Sequence, residues 1–85
     1  MDVNEDVRAI LRDVLSLGER ANTLRAASPL LGAVPELDSM AVVGVLAALE
    51  DRFGFAVADD EISGGTFATF GALVEFVRAK TETPR

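Results

Sequence analysis

Two neighbouring stretches of opposite character constrain this chain most. Pro29, Gly32 and Pro35 interrupt regular structure, and then from Met40 to Phe53 no proline intervenes and apolar residues recur at helical spacing. The junction between them is Leu37-Asp38-Ser39-Met40. Asp and Ser are the residue types that cap a helix N-terminus, because their oxygens accept hydrogen bonds from backbone N–H groups that have no partner inside the helix. Capping alone accounts for such a pair. A serine at this point also faces solvent, beside backbone donors and a helix dipole that favour an anion.

The rest of the chain reads as further helices around one core. Val3, Val7, Ile10, Leu11, Val14 and Leu17 form one stripe of a 3.6-residue period, which predicts an amphipathic helix from about Asn4 to Leu17, ended by Gly18, with Arg8 and Arg12 facing water. Glu19 to Glu36 is a long connection pinned by Leu24, Leu30 and Leu31, with a short turn of helix over 22–27. The second helix, Ser39 to Phe53, has a core stripe of Val42, Val45, Leu46, Leu49 and Phe53, and a second, partly exposed stripe of Met40, Val43 and Ala47. Gly44 marks a close approach, by a neighbouring helix or by something else. Glu50 and Asp51 sit at the end of the helix that the dipole disfavours for acids, which suits a use outside folding. Phe55 and Val57 anchor a turn; 59–63 forms a single helical turn ended by Gly64-Gly65; Thr66 or Thr69 caps a last helix running to Lys80. The expected fold is all-α: a small four-helix bundle of three longer helices and one short one, with a long loop between the first two. Residues 1–85 form one domain, with an ordered core over about 3–80 and a frayed tail at 81–85.

Composition removes most chemistries. The chain has no histidine, so a Ser39 nucleophile lacks its usual base, and the only lysine, Lys80, is far away in sequence. It has no cysteine either, which removes disulfides and thiolate chemistry and points to the cytoplasm. Metal sites would have to be built from oxygen ligands alone, and Asp59-Asp60-Glu61 lacks the spacing of a calcium loop. No apolar run is long enough to span a bilayer. These features argue against an enzyme and against membrane insertion. Between Glu36 and Glu61 seven acids stand against the single base Arg52, so the whole formal charge of −6 lies there and the remainder is balanced. Such a field repels nucleic acid and steers basic protein surfaces toward it.

Leu37-Asp38-Ser39-Met40, followed by Leu46, Leu49-Glu50, Phe53-Gly54, Val57, Asp59-Asp60-Glu61-Ile62 and Thr66-Phe67 to Leu73, resembles the acyl carrier proteins of the phosphopantetheine-binding superfamily over nearly the whole chain. The resemblance implies that Ser39 carries phosphopantetheine, added from coenzyme A by a separate transferase, and that the arm's thiol holds an acyl group as a thioester. It implies that Asp38 helps position the transferase, and that Met40, Val43, Ala47, Glu50 and Asp51 form the face shown to partners. Those partners are the phosphopantetheinyl transferase and acyl ligases or synthases and transferases with basic docking surfaces, met by a monomeric carrier. The chain departs from the family at Glu36, where glycine is frequent, and at Ala41 and Gly44, where fatty-acid carriers hold acids. Its face is therefore more apolar, which suits a dedicated partner. The stretch 35–40 is similar to stand-alone carriers of exosortase-associated systems. A peptidyl or aminoacyl carrier is the nearest alternative, and a helical interaction module without an arm is the alternative from another class.

Overall fold

The computed structural model describes residues 3–30, 32, 34, 37–58, 61–62 and 65–82, apart from the side chains of Ser39 and Glu82. In chain order these form α1 (Val3–Leu15), the 3-10 helix η1 (Gly18–Thr23), α2 (Ser39–Phe53) and α3 (Phe70–Glu82). The bundle is all-α, as expected. Among the described residues the one extended pairing is an isolated bridge between Pro29 and Thr69.

α1 begins one residue earlier than its stripe predicts and stops at Leu15. Its end is set by Ser16, which takes φ 55° while the Leu17 amide donates back to the Arg12 carbonyl at 3.0 Å. This six-to-one closure satisfies a carbonyl that the helix leaves open, and a left-handed residue is what it requires. Leu17 is buried from the loop that follows the helix, and Val14, which the stripe assigned to the core, remains 37% exposed.

The long connection contains η1, somewhat earlier than the helical turn expected over 22–27, and is pinned by Leu24 and Leu30. Leu31 lies outside the described residues. Arg8 does not face water. Its guanidinium donates to the carbonyls of Ala21 at 2.6 Å and Leu24 at 2.8 Å, and its centre lies 5.0 Å from the centroid of the Phe70 ring. One side chain of α1 thus closes the end of η1 and touches α3, where charge-assisted hydrogen bonds and the ring face hold it.

The connection then pairs with the entry to α3. Leu30 donates to the Ala68 carbonyl, Phe70 to Ser28 and Gly71 to Ala26. Gly71 is required there, because a Cβ on it would sit 2.7 Å from the Ala26 carbonyl oxygen. Thr69, rather than Thr66, caps α3: its hydroxyl oxygen accepts the Ala72 amide at 3.0 Å. The helix continues through Glu82, past the predicted end at Lys80.

The core is apolar throughout the described residues. Val7, Leu11, Leu30, Val45, Leu49, Leu73 and Val77 are fully buried at its centre. Gly44 faces α1, where a Cβ on it would lie 3.4 Å from Val14 Cγ1, at ordinary contact distance. The single helical turn expected over 59–63 lies mostly outside the described residues. Its described part is a turn in which the Glu61 amide donates to the Ala58 carbonyl.

Candidate functional site

The site is built at the start of α2. Asp38 is extended, with φ −104° and ψ −175°, and its Oδ1 accepts the Ala41 amide at 2.8 Å. It is therefore the N-cap, and Ser39 is the first residue of the helix. The Asp38 backbone carbonyl accepts the Val42 amide, so the first turn is closed by one residue through two groups. No acid lies in that first turn, so nothing on the helix itself opposes an anion at its positive end.

Beyond Ser39, α2 turns apolar side chains outward. Met40 is 77% exposed and Val43 60%, while Ala47 and Asp51 are also exposed. Met40, Val43 and Ala47 form the exposed stripe that the sequence pattern predicts, and Asp51 follows one turn after Ala47. Glu50 differs from them. It is half-buried, and its Oε2 accepts the Val57 amide at 2.7 Å across the loop that follows α2. The acid at the end of α2 that the dipole disfavours is thus offset inside the fold by a hydrogen bond. It lies one turn after Ala47 of the exposed stripe.

Between α2 and the returning loop lies a groove of about 420 Å³. Val43, Leu46, Ala47 and Glu50 line it from the helix, and Val57, Ala58 and Ile62 from the opposite side. The sequence pattern did not show this groove. Its signal was a surplus of apolar residues, Leu46, Val57 and Ile62, that pack only partly into the core. Glu61 braces the outer wall: Oε2 accepts the Ala58 amide at 3.0 Å and Oε1 lies 2.6 Å from the Lys80 ammonium. The bond to Lys80, and then that to Ala58, holds the Glu61 carboxyl below the usual glutamate range. Asp59 and Asp60, the other acids of this segment, lie outside the described residues. Among the described residues, no helix is long and apolar enough to cross a membrane.

A hydroxyl-bearing residue at the first position of a helix, with an exposed apolar ridge and a groove one turn onward, suits attachment of an anionic linker bearing an apolar load. Residues 5–77 match the family described as the phosphopantetheine attachment site. The fold is similar to that of a holo acyl carrier protein from Nitrosomonas europaea determined in solution by NMR, with a TM-score of 0.89 and 59% sequence identity; the match covers 98% of this chain and 100% of that one. No curated protein matches the sequence.

Proposed function

Because this chain belongs to the phosphopantetheine-binding family and is an acyl carrier protein with phosphopantetheine as its prosthetic group, we propose that the arm is attached at Ser39 and that α2 is the face presented to partner enzymes. The observation that carries the assignment is the position of Ser39 as first residue of α2, directly after its N-cap. The surroundings fit the group. The helix end favours the phosphodiester charge, the neighbouring Asp38 carboxylate is engaged by the Ala41 amide, and the first turn adds no further acid. Bound there, phosphopantetheine supplies the thiol through which the acyl group is carried.

The chain's own residues bind and present; no step of catalysis is assigned to them. Carriers of this family are not catalysts, and a protein without histidine has no need of a base when the transferase brings its own. Asp38 orients the N-terminus of α2 toward the transferase. Met40, Val43 and Ala47 form the apolar centre of the docking face, with Asp51 and the outer edge of Glu50 as its acidic rim. Basic surfaces on the phosphopantetheinyl transferase and on an acyl ligase or synthase are the matching chemistry. The groove beside α2 shelters the apolar part of the acyl group. The similarity over 35–40 supports a stand-alone carrier of the exosortase-associated type, a monomer of one domain in the cytoplasm.

Ser39→Ala in the producing cell tests the reading. The variant folds and fails to support its pathway; a variant that still supports it contradicts the assignment. The rim is tested by salt: transfer of the arm slows as ionic strength rises and in Asp51→Lys. A rate indifferent to both would leave the apolar ridge as the sole docking determinant.

A further inference from the structure

The groove has two unlike walls. Val43, Leu46 and Ala47 belong to α2, whereas Val57 and Ala58 belong to the connection that follows it. That second wall is held from outside itself. The Val57 amide donates to Glu50 Oε2 at 2.7 Å, and the next amide, of Ala58, donates to Glu61 Oε2 at 3.0 Å. Glu61 is tied in turn to Lys80 of α3, whose ammonium lies 5.9 Å from the centroid of the Phe55 ring. Two consecutive wall amides thus end on two carboxylates, one carried by α2 and one braced by α3. Within this chain of contacts, Glu50 both lines the groove and spans it.

We propose that Glu50 is the latch of this groove: by accepting the Val57 amide it sets how far the wall of Val57 and Ala58 stands from α2, and so the length and bulk of the acyl chain admitted. The guest rests on the carrier reading above; the latch is a property of the chain before any arm is attached. It assigns Glu50 a positioning role distinct from the docking face. A partner that reads Glu50 by its charge loses contact with Glu50→Gln. The latch keeps its acceptor in that variant, because the amide carbonyl accepts the same N–H, though less strongly than a carboxylate.

The test compares the wild type with Glu50→Gln, Glu50→Ala and Glu50→Met, the last preserving side-chain bulk should the alanine variant fail to fold. Amide hydrogen exchange is measured by NMR on the apo chains. Each chain is then loaded with acyl groups of increasing length from acyl-coenzyme A by a broad-specificity phosphopantetheinyl transferase, and its Tm is recorded. The Val57 amide exchanges roughly ten- to a hundredfold faster in Glu50→Ala and Glu50→Met, and within about tenfold of wild type in Glu50→Gln. The acyl length giving the largest rise in Tm moves to longer chains in Ala and Met and stays in place in Gln. Unchanged Val57 exchange in Ala and Met, a Gln variant indistinguishable from Ala, or one acyl-length profile shared by all four chains would overturn the latch. Failure of all four chains to accept an arm would contradict the carrier reading instead, and the apo exchange rates would still decide the latch.

Discussion

Asp38 accepts the Ala41 amide at 2.8 Å, and this one bond makes Ser39 the first helical residue of α2. The same aspartate is assigned a second role, in presenting Ser39 to the transferase. The two roles separate by substitution. Asp38→Ala removes the cap and lowers stability by about 0.5–2 kcal/mol, read as a lower urea midpoint. Asp38→Asn keeps a capping oxygen, so its midpoint stays near wild type, while arm transfer falls as far as in Asp38→Ala. An Asn variant that is both stable and fully modified would confine Asp38 to capping.

Two glycines with no positive φ differ in what surrounds them. At Gly71 a Cβ meets the Ala26 carbonyl oxygen at 2.7 Å, a backbone atom held in place by the Gly71 amide that donates to it. Gly71→Ala therefore destabilises by roughly 1–3 kcal/mol. At Gly44 the nearest atom is Val14 Cγ1 at 3.4 Å, on a side chain that is part exposed. There the helix propensity of alanine dominates, and Gly44→Ala stabilises by up to about 1 kcal/mol. Opposite signs in paired urea titrations are the expected result; equal signs would contradict the packing described for one of the two.

The Glu61–Lys80 pair gives the wall of the groove a dependence on acidity. The Glu61 carboxyl is held below the usual glutamate value by Lys80 first and by the Ala58 amide second. The unfolded chain then takes up this proton at a higher pH than the folded one, so the pair's contribution is present above about 4.3 and is lost as pH falls through the folded value. Lys80→Met removes the main cause. The fall in urea midpoint below about pH 4.3 is shallower in that variant than in wild type; parallel curves would mean that the pair adds nothing to folding.

What was legible in the sequence was what local chemistry decides. The bounds of α2 follow from Asp38 at one end and Gly54, with φ 75°, at the other, and both are read from residue type alone. The end of α1 was less legible, because Ser16 adopts the left-handed conformation that residue type assigned to Gly18 two positions later. Arg8 was misread as solvated, since its partners, the carbonyls of Ala21 and Leu24, face it only once η1 has folded back on α1. Ser39, Met40, Val43, Ala47 and Asp51 could be placed on α2 from spacing. Glu50 was on the right helix, but its inward bond to Val57 depends on the path of a loop that carries no periodic signal. The groove escaped for the same reason, as it exists only between a helix and a returning connection.

The most direct test of the central claim is the intact mass of the protein after incubation with coenzyme A, magnesium and a broad-specificity phosphopantetheinyl transferase, beside Ser39→Ala. The account predicts a gain of one phosphopantetheine on the wild type and none on the variant. A gain on both chains, or on neither while both remain helical, would contradict the assignment of Ser39.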